Sequence, residues 1–248
     1  VEVCFDERVP LMILFWGDIS PYVKDAHRRD ILIVAQCGSA EEAVSAADAG
    51  ADGIIIQGTE AGGHVKAQQP LAENLNATIN AVSPLPVIAA GGIASGADIA
   101  QALSSGASAV SIGTKFLATK EAVVTEQYKQ MIVDASAADT CLTELFDMGW
   151  PQAQHRVIRN KTYDGWVKSG KPASGERPGE NEPIGFVTQN NAKTELPRYT
   201  IFPPLTNVDA HPDDLALYAG ESCDRTTEIL SVETLMNQLQ DELRKAMA

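Results

Sequence analysis

One theme recurs five times between Leu11 and about Glu121: a short apolar run, a turn of small residues, then an amphipathic stretch. The apolar runs cover residues 11–17, 31–36, 53–58, 86–92 and 109–114. They are rich in Val and Ile and do not alternate with polar residues, the pattern of strands buried on both faces. Helical patterns fill 39–49, 71–82 and 97–104 between them. Ser39, followed by Glu41 and Glu42, is suited to cap the first of these helices. Gly50 and Gly106 stand where helices should stop, each followed by Ala and a new strand.

Strand–helix alternation of this kind implies βα units and a parallel sheet, closed as a barrel or open and doubly wound. Glycine placement favours the barrel. Gly91-Gly92 ends one strand and Gly113-Thr114 the next, as in the paired phosphate loops after strands 7 and 8 of a (β/α)₈ barrel. The GxGxxG of a dinucleotide fold is missing. The expected fold is therefore an α/β chain carrying only strands 4 to 8 of a TIM barrel, with an irregular C-terminal extension and a terminal helix. Residues 1–138 would be the C-terminal part of the barrel. Residues 139–248 would be a covering segment and a helix packed on it.

Beyond Phe116 a helix is expected over 120–135. Residues 141–226 lack periodicity but carry Trp150, Tyr163, Trp166, Phe186, Tyr199, Phe202 and Tyr218. That is too many aromatics for a solvated linker, so an irregular layer over the barrel mouth is expected. From 226 to 247, Ile229, Leu230, Leu235, Leu239 and Leu243 form one helical stripe for packing, with homodimerisation its alternative use.

Thirty-three acidic against 19 basic residues give a formal charge of −14. With no basic patch, this argues against nucleic acid or an anionic membrane as partner. No apolar run approaches the roughly 20 residues of a membrane span, and no signal peptide is visible. A cytoplasmic enzyme is expected. Cys4, Cys37, Cys141 and Cys223 lack metal or disulfide spacing.

The segment 57–64, Gln-Gly-Thr-Glu-Ala-Gly-Gly-His, is the richest in chemistry. It begins where a buried strand ends, which in a barrel is the catalytic face. Gly62-Gly63 allows close backbone approach to a ring or phosphate. His64 follows at once, and an imidazole with a pKa near 6.5 is suited to abstract a proton. His27, His155 and His211 lack this framing. Backbone N–H groups at 86–93 and 111–115, with the N-termini of the following helices and the Thr114 hydroxyl, are expected to hold a phosphate monoester. Gln36 and Gln57 end adjacent strands, where amides could read a polar ring or serve as satisfied structural groups.

Residues 51–64 and 86–122, and less sharply 155–166 and 218–222, resemble the nitronate monooxygenase family, formerly called 2-nitropropane dioxygenases. The resemblance implies FMN as cofactor and oxidation of alkyl nitronates by O₂ to a carbonyl compound and nitrite. It places the catalytic base on His64. It places flavin contacts on Gln36, Gln57, Gly62, Gly63, Gly91, Gly92, Ser111, Ile112, Gly113 and Thr114. Two departures stand out. His64-Val-Lys-Ala lacks the glycine that commonly follows the family's histidine. The family's first flavin loop and its Asn contact would lie upstream of Val1, so a truncated chain that binds FMN weakly or not at all is expected. The alternatives are a flavin-type enoyl-acyl-carrier-protein reductase using NAD(P)H, a phosphosugar or inosine-phosphate barrel with Cys37 as the one suitably placed thiol, and an inactive fragment.

Overall fold

The computed structural model describes all 248 residues. Up to residue 112 the chain forms α1 (Glu2–Asp6), β1 (Leu11–Phe15), α2 (Ser20–His27), β2 (Leu32–Cys37), α3 (Ala40–Asp48), β3 (Gly53–Gln57), β4 (Gly63–His64), α4 (Leu71–Val82), β5 (Val87–Ala90), α5 (Gly96–Ser104) and β6 (Ala109–Ser111). It continues with α6 (Thr114–Leu117), α7 (Glu126–Asp134), β7 (Thr140–Thr143), β8 (His155–Ile158), α8 (Lys161–Lys168), β9 (Pro183–Gln189), β10 (Ala192–Pro197), β11 (Val208–Ala210) and α9 (Val232–Ala246). Two compact units result. The first comprises Val1–Ala61, Val65–Ile112 and Leu239–Ala248, and the second Gly62–His64 and Gly113–Gln238.

The first unit is α/β, with a five-stranded sheet in the order β1-β2-β3-β5-β6 whose neighbours are all parallel. The five apolar runs predict these five strands. Stepping always in one direction with right-handed crossovers puts every helix on the same face, whereas a doubly wound sheet requires a reversal of strand order. No reversal occurs. Ile33, Ala35, Ile54, Ile56, Val87 and Ala89 are fully buried on the face packed by α3 and α4. Val34, Ile55, Ile88 and Ala90 cluster on the other face.

Burial on both faces holds for β3 but not for the edges. Leu11 and Ile13 of β1 and Leu32 at the start of β2 are exposed, as are Ala109 and Ser111 of β6. An apolar run marks a strand but not its place in the sheet. The Ser39 side chain accepts the Glu42 N–H, capping α3 as its sequence predicts, and α4 has the predicted bounds.

The second unit corrects the expectation of an irregular extension. Residues 140–210 supply five strands and a helix. β4-β8-β7 and β10-β9-β11 are two antiparallel three-stranded sheets. β8 is buried at all four positions and β10 is mostly exposed, so neither alternates. Asn190 and Asn191 both take positive φ between β9 and β10, the geometry of a type I′ hairpin turn. That Asn pair was the available sequence signal. Buried Arg177 donates to the Leu145 carbonyl and to the Asp147 carboxylate (2.8 Å), pairs with Glu180, and lies over the Tyr199 ring.

Two helices begin later than their patterns predict, because a capping side chain fixes the first turn. Thr125 accepts the Tyr128 N–H to start α7, and Ser231 accepts the Thr234 N–H to start α9. Leu235 and Leu239 of the predicted stripe are buried.

Replacing the fully buried Ile56 with Ala should lower the unfolding free energy by about 2–5 kcal/mol. Ile13→Ala on exposed β1 should cost less than about 1 kcal/mol. Urea unfolding midpoints of the two variants check this.

Candidate active site

Local backbone packing fixes the Gly62-Gly63-His64 turn. Gly63 and His64 pair antiparallel with Arg156 and His155 of β8. A Cβ at Gly62 would lie 2.2 Å from the Gly220 nitrogen and 2.5 Å from the Ala219 carbonyl carbon, so only glycine fits against that backbone. The same segment is held a second time, by the Gly220 N–H donating to Thr114 Oγ1 at 2.9 Å. Tyr218, just before it, donates through its hydroxyl to the Ile201 carbonyl (2.9 Å), and its own carbonyl accepts the Tyr128 hydroxyl (2.6 Å).

These anchors surround His64 with rings. Trp150 stacks on the imidazole, with centroids 4.3 Å apart and planes 27° apart. His155 stands edge-on at 5.5 Å and Tyr218 lies tilted at 5.6 Å. Burial, and then the neighbouring His155, push the His64 pKa down to about 4. This corrects the expectation of an ordinary value near 6.5. The ring is neutral at physiological pH and can accept a proton. It is a weaker base than a free histidine until an anion beside it favours the charged form.

In sequence, His155 resembles a loop or helix histidine without a glycine frame. It is instead a fully buried strand residue. Its Nδ1–H donates to the Ala153 carbonyl at 2.9 Å, and its Nε2 accepts the Phe146 N–H at 3.3 Å. Both nitrogens are committed, which fixes the neutral tautomer. Burial lowers its pKa, opposed by the Ala153 carbonyl and Asp147.

Six other predicted residues lie in the first unit. The Gln57 side-chain oxygen accepts the Lys66 N–H at 3.0 Å, and the Gln57 carbonyl accepts from the Asn74 amide at 2.8 Å. A structural partner thus exists for this buried amide. Gln36 lines a cavity of about 390 Å³ with Leu14, Trp16, Cys37, Glu42 and Lys66. Lys66, in the loop that departs from the family pattern, pairs with Glu42 and sits over the Trp16 ring. Burial, with Glu42 nearby, pushes the Cys37 thiol up to about 12. A thiolate nucleophile at neutral pH is therefore unavailable there, which removes the support for a Cys37-based barrel enzyme.

The strand tips after β5 and β6 are neighbours, with Ala90 paired to Ser111. Gly91 and Gly92 both take positive φ (112° and 71°), which favours glycine. Ile112 follows Ser111 and leads to Gly113, where no atom lies within 4 Å of the position a side chain would occupy. Open backbone of the kind seen at Gly113 is chemically suited to an anion. One expectation fails here. The N-terminus of α5 is not open to a phosphate, because Asp98 accepts the Ala94 and Ser95 N–H groups and Glu242 accepts that of Gly96. No group of three or more His, Cys, Asp or Glu is placed to hold a metal, and no helix is long and apolar enough to cross a membrane.

The sequence pattern of nitronate monooxygenases matches residues 1–242. The chain belongs to the nitronate monooxygenase family. A relative named a probable nitronate monooxygenase, from Bacillus subtilis, is 30% identical over 237 residues, covering 92% of this chain and 62% of the relative. Among solved structures, a nitroalkane oxidase of Streptomyces ansochromogenes is 26% identical with a TM-score of 0.74, covering 99% of this chain and 67% of that one. FabK of Thermotoga maritima is 26% identical with a TM-score of 0.78, covering 99% and 71%. The chain spans about three-fifths of the length of the curated relatives it matches.

His64 also predicts a pH dependence for this family member. Its folded pKa lies below the unfolded value, so between pH 6.5 and about 4 the unfolded chain binds more protons and stability falls as pH falls. The loss should be on the order of 1–3 kcal/mol for this half-buried ring. Urea midpoints at pH 7 and pH 4.5 should differ less in His64→Gln than in the wild type, with His155 supplying part of the drop that remains.

Proposed function

We propose that this protein is a flavin-dependent enzyme that oxidises alkyl nitronates with O₂ to a carbonyl compound and nitrite, with FMN as cofactor and His64 as base. The observation that carries the reading is His64 itself: a neutral imidazole locked by backbone pairing among aromatic rings, in a chain of the nitronate monooxygenase family. The parallel sheet is read as part of a (β/α)₈ barrel, in keeping with its unreversed strand order.

In this reading the Gly91-Gly92 tip and the Ser111–Thr114 run hold the flavin phosphate, and Gln36, Gln57, Gly62 and Gly63 contact the ring system. FMN, when bound, supplies the electron acceptor and the means of passing electrons to O₂. His64 takes the proton from the carbon beside the nitro group of a neutral nitroalkane. The nitronate so formed carries the negative charge that stabilises the imidazolium, which offsets the low proton affinity of the resting ring. A nitronate supplied ready-made needs no base, and His64 then steadies an anion. Trp150 and Tyr218 exclude water around the ring, which strengthens each of these interactions.

With added FMN, nitrite release from nitroethane should fall about 10²–10⁴-fold in His64→Gln, and release from preformed ethyl nitronate by about tenfold or less. A wild-type protein that releases no nitrite but oxidises NAD(P)H with an enoyl thioester would replace this reading with the reductase.

A further inference from the structure

Resting on the reading of His64 as the base, we propose that Trp150 is its positioning residue: the indole fixes the plane of the imidazole and determines which substrates can reach it. The stacking places the indole flat against one face of His64, at 4.3 Å and 27°. His155 and Tyr218 occupy two further directions at 5.5 and 5.6 Å. A substrate therefore reaches a ring nitrogen without stacking on the indole-covered face. This arrangement favours a small reacting group with a narrow substituent and disfavours one branched beside the reacting carbon.

The turn bearing Trp150 is built to hold that pose. Trp150 N–H donates to the Asp147 carbonyl (3.0 Å), closing the turn between β7 and β8. Gly149 takes a φ of 116° and packs on Ile201, where a side chain would begin 3.2 Å from the Ile201 Cδ1. Met148 N–H donates to the Tyr199 carbonyl, and Ile201 N–H donates back to the Met148 carbonyl. Asp147 is itself pinned by the buried Arg177, which also lies over Tyr199. A buried ion pair thus fixes the base of the turn, two hydrogen bonds fix its rim, and the indole projects from it onto His64.

The titratable groups facing His64 within this unit are His155 of β8, neutral with both nitrogens committed, and the Tyr218 hydroxyl, which burial keeps protonated. Neither brings a charge at neutral pH. Trp150, stacked at 4.3 Å, then contributes to the burial that is the first cause of the depressed His64 pKa.

The test is an NMR titration of the His64 ring in the full chain, alongside steady-state kinetics. In Trp150→Ala the His64 pKa should rise by about one pH unit or more from its value near 4, while Trp150→Phe, which keeps a flat ring, should stay near the wild type. For nitroethane, kcat should drop at least about tenfold in Trp150→Ala with KM changed less than about threefold, and 2-nitropropane should gain relative to nitroethane. Should Trp150→Ala fail to fold by circular dichroism, Trp150→Leu keeps volume without a flat face and carries the same expectations. An unmoved His64 titration in a folded Ala or Leu variant overturns the proposal. The titration needs no turnover, so a protein that releases no nitrite would sink the nitronate reading while leaving the effect of Trp150 on His64 to be read independently.

Discussion

The surroundings of His64 depend on one close approach, that of the Gly62 backbone to Ala219 and Gly220. A methyl group at Gly62 would overlap main-chain atoms, which cannot swing aside as a side chain can. The approach brings a segment from near the end of the chain against a turn from its first third. Thr114 grips the same segment through Gly220, so two separate parts of the family pattern converge on it. Tyr218 is carried into place as the next residue along. The sheet β4-β8-β7 completes the arrangement from the other direction, since pairing of His64 with His155 sets the height of the imidazole.

A second consequence is electrostatic. The chain carries a formal charge of −14, yet His155 and Tyr218, two rings that stand against His64, are neutral at physiological pH. His155 has spent both nitrogens on backbone partners, and the Tyr218 hydroxyl has spent its proton on the Ile201 carbonyl. Burial is the first cause of the depressed His64 pKa and keeps the imidazole neutral. A nearby carboxylate would raise the proton affinity of the resting ring. It would also repel an anionic substrate, so a neutral aromatic lining suits a base whose product is an anion.

The parallel sheet was legible because unalternating Val and Ile runs leave a strong mark wherever they lie in the sheet, and α3 and α4 because caps and periodicity agree at Ser39 and over 71–82. The second unit was hard to read for physical reasons. β4 has two residues and exists only through β8, far along the chain, so no local pattern can announce it. β9 and β10 are largely exposed, and their one clear signal was the Asn190-Asn191 turn. His64 was legible from its glycine-framed position. Its proton affinity was not, because that depends on Trp150 and His155, which only the folded chain brings near. The Gln57 side-chain oxygen accepts the Lys66 backbone N–H, a partner that no local sequence pattern announces.

The α5 N-terminus shows how this acidic chain fills an exposed helix start. A helix start is electropositive and attracts whichever carboxylate can reach it. Here Asp98 takes two N–H groups as its own capping residue, and Glu242 of α9 takes the next. Gly96 permits this, since a side chain there would meet the α9 backbone at Leu243. In so acidic a chain, open helix ends attract the protein's own carboxylates. At Gly113, by contrast, no atom lies within 4 Å of the position a side chain would take, while Glu60 packs against Gly92.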